Sequence, residues 1–422
     1  MRKPPAALAE DLYRTVPEAD MGRSLLIAAL PYELAAGDRA KADNIVSGAL
    51  EDWTRSGLKF GRAPGGERLF DPVEVFNHMK WEGLMGRDGF WSRHFVSTAR
   101  AETQQSAGVE GRLPKPLEKK RFSVELRRKF SFRNSVPARK LRLRLPLPLQ
   151  SHAQDISVSP ISPDGVSSSI SQSDGRLEFQ VEMKEPGSLE IGADLNFTTD
   201  GAVQRNGTET LTPEERELYL RPAEGLIRVS PRVADLAATF AGPDASLEVA
   251  LNAWDFLLDE LNCGMVRYDQ VDPQAPGDWV LDNGWYDCQL GSSLFIAICR
   301  ARGIPARLAS GYMLYDLAPG YHYWSEIWQD GHGWLPFDLL CWDLSAGGRD
   351  TAWRTHFAGA VDYRMVTQCL PLSFTGPMSV RFPPAWHLLN APLDGGMSIH
   401  FTALDGEPIY SDQIVTARKS AD

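Results

Sequence analysis

Three residues in the stretch from Trp279 to Asp343 have the types and order of a nucleophile, a base and an orienting carboxylate: Cys288, His322 and Asp338. A thiol, an imidazole and a carboxylate that meet in space attack acyl carbons through a thiolate and pass through a covalent acyl intermediate. A cysteine taken alone is more often a small buried hydrophobe. Its place at a helix start, with a histidine and an aspartate downstream, favours chemistry. His332 competes with His322 for the base, but it falls at a turn tip far from a buried helix start. Asp316 falls in a loop and Asp343 lies beyond the strands, so Asp338 is the better orienter.

The elements that must position these residues follow from their neighbours. Asp287 is an N-cap for a helix over 288–302, with Arg300 and Arg302 in its last turn, Gly303 at C′ and Pro305 beyond. Leu290, Leu294, Phe295, Ala297 and Ile298 leave it little polar surface, so the helix is expected to be buried. Free amides in its first turn lower the pKa of a thiol there and can hold an oxyanion, while the Asp287 charge works against a thiolate. Strands are expected over 304–313, 321–329 and 334–339, the last two joined by Asp330-Gly331-His332-Gly333. Folding that hairpin about Gly331–His332 sets Asp338 opposite a residue near Trp324. His322 is then one diagonal step away, ~7–8 Å between backbones, provided the register puts both on one face.

Other residues of the segment have structural alternatives. Glu326 shares strand parity with His322 and Trp324, and is expected to pair with Arg307 rather than tune the histidine. Six of the twelve tryptophans lie between Trp279 and Trp342, and core packing accounts for most of them. Trp279 and Trp285, in the loop before Cys288, are candidates to line an acyl pocket or donate an indole N–H to the oxyanion. Trp324 is a weaker candidate for the same pocket.

The remaining chain divides by pattern. Residues 1–112 read as helical, with helix formers over Met21–Leu30 and Ala40–Trp53 and many aromatics up to His94. From 117 to 200 the period changes to two: Phe122, Val124 and Leu126 alternate with polar residues, as do Leu141, Leu143 and Leu145 and then Leu177, Phe179 and Val181. This reads as an antiparallel β-sandwich. Lys119–Arg121 with Arg127–Lys129 is a solvated strand face rather than a docking patch. Residues 207–345 hold the catalytic segment, entered through a capping box at Thr212-Pro213-Glu214-Glu215 and a helix N-capped by Ser246. Residues 346–422 are expected to wrap on the catalytic domain.

Composition bounds the function. At 422 residues two or three domains are expected, and 43% hydrophobic with 23% charged residues is ordinary for a globular protein. A net charge of -11 argues against nucleic acid as a partner. No apolar run approaches the ~20 residues of a membrane span, and no secretory signal is read after Arg2 and Lys3. The five cysteines are scattered without CxxC spacing, which fits a reducing cytoplasm. Neither HExxH, G-x-S-x-G nor a D-x-[DN]-x-[DN]-G calcium loop occurs, and His332 and His356 lack ligand spacing. No metal or cofactor is expected.

Cys288 with Asp287, then Arg300-Ala301-Arg302-Gly303-Ile304-Pro305-Ala306-Arg307, Gly311-Tyr312, His322-Tyr323-Trp324-Ser325-Glu326-Ile327-Trp328 and Gly333-Trp334-Leu335-Pro336-Phe337-Asp338, resembles the transglutaminase-like superfamily. Arg267-Tyr268 and Asp278-Trp279-Val280-Leu281 resemble the family's approach to its cysteine. Two features depart from the pattern: Tyr286 stands where many relatives have glycine, and 1–112 has no counterpart in it. The resemblance implies an α+β fold, a papain/transglutaminase-like domain with a helix packed on an antiparallel sheet, behind a bacterial-type β-sandwich. It implies Cys288 as nucleophile, His322 as general base and acid, Asp338 as orienter, and thioester chemistry on a peptide or protein amide. Hydrolysis is the expected outcome. Acyl transfer to an amine is the alternative, and an inactive binding or scaffold protein is the second alternative.

Overall fold

The computed structural model describes residues 16–18, 48, 50–81, 109–110, 113–114, 119–131, 139–173, 175–183, 188–199, 210–314, 320–339, 357–359, 361–369, 391–393, 396–401 and 409–419. Helices and sheets are mixed throughout, so the fold is α+β.

The N-terminal region is not helical alone. Residues 50–55 are helical, and α1 spans Pro72–Trp81. Between and before them, Val16–Pro17, Arg68–Phe70 and Gly61–Arg62 make a small antiparallel sheet. Pro64-Gly65-Gly66 reverses the chain there, with Gly66 at φ 87°, a turn that a reading of helix propensity passes over. Met21–Leu30 and the start of the second expected helix lie outside the described residues. Helix α1 docks on the segment that leads to Cys288. Asn77 donates to the Met265 carbonyl at 3.0 Å and accepts from its amide at 2.7 Å. Arg267 joins both Asp71 and Glu74 at 2.7 Å.

Period-two alternation builds the sandwich. Its strands are β1 (Lys120–Ser131), β2 (Arg139–Pro146), β3 (Ala153–Ile161), β4 (Ser167–Ser173), β5 (Arg176–Met183) and β6 (Ser188–Thr199). One sheet runs β2-β5-β4, and the other contains β1-β6-β3. Phe122, Val124 and Leu126, with Leu195 and Phe197 beside them on β6, share one apolar core with Leu177, Phe179 and Val181 of the other sheet, as side chains two apart on a strand point to one face. Gly175 lies between β4 and β5 at φ 68°. Arg121 and Lys129 of β1 are exposed, while other basic residues of the strand are held within the molecule. Lys120 pairs with Asp362, and Arg127 bonds Glu125 at 2.5 Å and Glu190 at 2.6 Å.

The catalytic segment follows as α2 (Pro213–Tyr219), α3 (Pro231–Ala238), α4 (Leu247–Glu260), α5 (Pro276–Asn283), α6 (Cys288–Ala301), β7 (Ala306–Met313), β8 (Gly320–Gln329), β9 (Gly333–Phe337) and β10 (Arg364–Cys369). The capping box at Thr212 and the Ser246 cap are both formed. The sheet is antiparallel, in the order β9-β8-β7-β10. Helix α6 lies on it, with Phe295 against Phe337 at 5.1 Å and the Ser325 hydroxyl donating to the Ser292 carbonyl at 3.2 Å. Gly303 ends the helix at φ 72°. Arg300 and Arg302 turn back to satisfy the carbonyls of Ala306, Arg221, Ala237, Phe240 and Gly242.

The C-terminal strands go elsewhere than expected. β11 (Ala391–Leu393), β12 (Gly396–Phe401) and β13 (Ile409–Lys419) continue the larger sandwich sheet, with β13 antiparallel to β1 from Ile409 opposite Ser131 to Lys419 opposite Phe122. Of the tail expected to pack on the catalytic domain, Arg364–Cys369 does so as β10, while the strands from 391 onward join the sandwich sheet. The physical reason is the free edge of β1, whose unpaired backbone groups are satisfied by a long partner. Phe374, Phe382 and Trp386 lie outside the described residues.

Candidate active site

Cys288 is the first residue of α6 because Asp287 caps it. Asp287 Oδ1 accepts from the amides of Gln289 at 3.0 Å and Leu290 at 2.9 Å, and also from the Tyr268 hydroxyl at 2.9 Å. Burial pushes the Asp287 carboxyl up to about 6, against the pull of these three donors. The Cys288 thiol is also raised well above its ordinary value, by burial first and then by the Asp287 charge. The backbone amides of Tyr323 and Gln289 work in the opposite direction. Burial and the Asp287 charge thus favour the thiol form, and the sulfur meets the backbone amide of Tyr323, the residue after His322.

His322 and Asp338 meet as the hairpin predicts. Ser325 pairs with Phe337 and Gln329 with Gly333, so the turn centres on Gly331 and Asp338 follows in register opposite Trp324. His322 Nε2 lies 2.9 Å from both Asp338 oxygens. Both side chains are fully buried, and His322 stacks on Trp324 with ring centroids 6.2 Å apart. Asp338 is held well below the usual carboxylate range, because His322 and Arg364 together outweigh a burial effect that alone would raise it. An ionised carboxylate only accepts, so Nε2 must carry the hydrogen. In neutral His322 the lone pair is then on Nδ1, which is buried without a hydrogen-bond partner among the described residues.

Arg364, from β10, donates to Asp338 Oδ2 at 2.8 Å. The sequence reading passed over it, because β10 lies in a tail taken for loops and short strands, and its contact spans 26 residues. Gly311 makes that contact possible. It sits at a β-bulge between β7 and β10, where a Cβ would stand 1.9 Å from the Met365 carbonyl oxygen. Tyr268 was quoted only as part of a family pattern, yet it orients the cap of the nucleophile helix.

The tryptophans do not share one loop. Trp279 is inside α5, half-buried against the core. Trp285 is in a two-residue strand paired parallel to Asn262–Cys263, with its ring over Gly264, where a Cβ would be 2.6 Å away. Trp324 underlies the His322 ring. His332 is exposed at the turn tip. Asp316 and Asp343 lie outside the described residues. Glu326 forms the expected pair with Arg307 at 2.7 Å. The departure at Tyr286 has a structural partner: its ring fills the space above Gly291, where a Cβ would stand 2.4 Å from it.

The described groups can deliver a thiol to an acyl carbon, accept its proton on Nδ1 and keep the resulting imidazolium beside a fixed carboxylate. Residues 234–339 match the family model of the transglutaminase-like superfamily. Among similar proteins, a protein-glutamine gamma-glutamyltransferase of Pseudomonas aeruginosa is 25% identical over 238 residues. That match covers 52% of this chain and 34% of the relative, so the chain spans about a third of the relative's length. Among solved structures, a candidate cysteine protease of Cytophaga hutchinsonii is 15% identical, covering 70% of this chain and 98% of that one, with a TM-score of 0.40. The periplasmic domain of TgpA from P. aeruginosa is 18% identical, covering 53% and 91%, with a TM-score of 0.32.

The cytoplasmic location expected from the scattered cysteines is corrected by this comparison, since the similar P. aeruginosa domain is periplasmic. The physical basis of the expectation was weak. Cys263, Cys299 and Cys369 form no disulfide and are buried, and buried thiols do not by themselves mark a reducing compartment. Among the described residues no helix is long and apolar enough to cross a membrane.

Proposed function

We propose that this protein is a thiol enzyme acting on a peptide-like carboxamide through a thioester, with Cys288 as nucleophile, His322 as base and acid, and Asp338 as orienter. The observation that carries this reading is His322: its Nε2 is committed to Asp338, leaving a buried, unpartnered Nδ1 on the strand whose next amide meets the Cys288 sulfur. In the first half-reaction sulfur bonds the carbonyl carbon and its proton passes to Nδ1. The C–N bond breaks, and that proton leaves with the amine. In the second, the acceptor gives its proton to Nδ1 as it attacks the thioester, and the thiol is restored. Because the resting thiol is raised, the proton moves to His322 as attack proceeds, and no standing thiolate is required.

Two acceptors are consistent with these groups. Water gives hydrolysis, the outcome expected from sequence. That expectation leaned on a cytoplasmic setting, which is now corrected. An amine gives acyl transfer, the reaction in the name of the P. aeruginosa relative. That name is a specific observation in favour of transfer. The domain division at 112, 200 and 345 belongs to this proposal, with 391–419 assigned to the sandwich.

The full chain is incubated with glutamine- and asparagine-containing peptides, with and without a labelled primary amine. A covalent acyl adduct on Cys288, absent from Cys288→Ala, is the result expected. Label uptake assigns transfer, and ammonia release or chain cleavage without uptake assigns hydrolysis. Folded protein in which Cys288 neither acylates nor reacts with a thiol probe would overturn the enzyme reading in favour of a binding role.

A further inference from the structure

A second thiol, imidazole and carboxylate meet outside the candidate active site. His152 stands in the β2–β3 connection of the sandwich, Glu326 on β8 and Cys369 at the end of β10. Their ligand atoms all lie within 4.8 Å of one another. His152 Nε2 is 3.1 Å from Glu326 Oε1 and 4.0 Å from Cys369 Sγ. All three side chains are nine-tenths or more buried. The seam is fixed beside them by the Leu149 amide donating to the Val366 carbonyl at 2.9 Å.

The bonding pattern singles out the atoms that remain. Arg307 donates Nε and Nη2 to the same oxygen, Glu326 Oε2, at 2.8 and 2.7 Å, and its guanidinium is stacked 3.9 Å above the Trp334 ring. Oε1 is left to face His152. On the far side of the imidazole, Nδ1 lies 2.8 Å from the Ser151 hydroxyl. One nitrogen, Nε2, therefore faces Glu326 Oε1 at 3.1 Å, Arg307 Nη2 at 3.4 Å and Cys369 Sγ at 4.0 Å; without metal a proton on Nε2 bridges it to the carboxylate, and a metal ion would take that proton's place. A tetrahedral zinc with bonds of ~2.0 Å to N and O and ~2.3 Å to S sets its ligands ~3.3–3.5 Å apart; the N···O distance of 3.1 Å is near this, and the sulfur, 4.0 Å from Nε2, would move inward on binding.

We propose that His152 Nε2, Glu326 Oε1 and Cys369 Sγ form a zinc site that staples the sandwich to the catalytic sheet, with Arg307 orienting the carboxylate and a water completing the tetrahedron. Sulfur, imidazole and carboxylate together suit zinc rather than magnesium or calcium. The charge balances. Zinc replaces the Nε2 and thiol protons, two positive charges for two, so net charge in the buried seam is unchanged and two protons are released. Of the other groups at the seam, Tyr219 faces Arg307 with its ring 5.9 Å from the guanidinium. No short-range motif signals such a site. The histidine lies 174 residues from the glutamate and 217 from the cysteine, and for that reason a search for ligand spacing expects no metal.

The test uses the full chain, stripped with a chelator and titrated with Co2+ and then Zn2+. Cobalt is expected to give a thiolate charge-transfer band that saturates at one equivalent and is erased by zinc. Cys369→Ser should lose the band, Cys288→Ser should keep it, and Arg307→Gln should weaken binding ~10–100-fold through the freed carboxylate. Circular dichroism of Cys369→Ser confirms that the loss is not unfolding. No band in folded wild-type protein, or a band that survives Cys369→Ser and disappears in Cys288→Ser, overturns the proposal.

Discussion

Strand β8 carries two sites on one face, His322 near its start and Glu326 four residues on. Each belongs to a group of one thiol, one imidazole and one carboxylate. The groups differ in how the imidazole is divided. His322 gives Nε2 to Asp338 and keeps Nδ1 unpartnered. His152 turns a single nitrogen towards both Glu326 and Cys369 and rests the other on a serine at the rim. A base must hold a proton on one side and accept one on the other, so only the first arrangement can relay a proton. The second turns one nitrogen to both other groups, an arrangement suited to sharing a proton or a metal ion among them. Residue types alone do not distinguish a catalytic group from a binding group. The assignment of the two ring nitrogens does.

The two groups also differ in what balances the carboxylate. Asp338 sits between an imidazole and Arg364, while Glu326 sits between an imidazole and Arg307. Both carboxyls are held below their ordinary range by these partners, against burial. The largest test removes the thiols in turn. Cys288→Ala should lower acylation by ~10⁶-fold, the scale seen when a nucleophile is deleted. Cys369→Ala should leave the rate within a factor of a few. Peptide acylation measured for both variants checks this, and an equal loss in both would collapse the distinction.

Asp338→Asn is next. An asparagine can accept from Nε2 or donate to it, so the tautomer is no longer fixed, and a loss of ~10⁴-fold is expected. The stability consequence has a definite sign. A carboxyl with a depressed folded pKa contributes stability that is present above its unfolded value, ~4, and is lost as pH falls through the folded one. Urea midpoints of wild type should therefore fall in acid more steeply than those of Asp338→Asn. Arg364→Gln raises the Asp338 pKa, so its loss of stability on acidification should begin at a higher pH than in wild type. A coincident pH profile for Arg364→Gln and wild type would remove Arg364 from the site.

How much of this was legible in the sequence depended on sequence distance. The start, stop and burial of α6 were readable, because caps and stop signals lie within a few residues of what they control. The hairpin that brings His322 to Asp338 was readable for the same reason, with Asp330-Gly331-His332-Gly333 fixing the register. Arg364 and His152 were not, since each reaches its partner across a fold that no local pattern encodes. The tail was misplaced because its alternation was weak and its partner, β1, lies nearly 300 residues upstream. The small N-terminal sheet was missed because its strands are only two or three residues long.

A gentler test addresses the cap. Asp287 opposes the Cys288 thiolate, and no comparable carboxylate precedes Cys369. Asp287→Asn keeps an N-cap acceptor and removes the charge. Alkylation of Cys288 by iodoacetamide at neutral pH should rise ~10-fold, the equivalent of one pKa unit. The folded Asp287 pKa, about 6, lies above the unfolded value. Wild type therefore loses stability as pH rises between ~4 and 6 and is level beyond. Asp287→Asn should lack that decline. An unchanged alkylation rate would mean that the Asp287 charge does not reach the sulfur.

The smallest expected effect tests whether the nucleophile helix depends on a contact that its metal-binding counterpart lacks. Tyr286 is buried with its ring over Gly291, one turn into α6, and a Cβ at Gly291 would stand 2.4 Å from that ring. Alanine favours a helix over glycine by ~1 kcal/mol, so on propensity alone Gly291→Ala should stabilise the protein. The clash reverses the sign. Overpacking a buried aromatic costs ~1–3 kcal/mol, and the ring cannot withdraw, because Tyr286 lies in the short strand pairing that also holds Trp285 against Asn262–Cys263. The expected outcome is a net loss of ~0–2 kcal/mol in urea unfolding, with slower acylation and unaltered cobalt binding at the seam. A second change, Tyr286→Gly in the Gly291→Ala background, separates clash from propensity. It opens the space above position 291, and helix propensity then predicts that alanine is the more stable residue there. If alanine is equally unfavourable with and without the Tyr286 ring, the contact does not fix the start of α6, and the position of Cys288 must be set by Asp287 and Tyr268 alone.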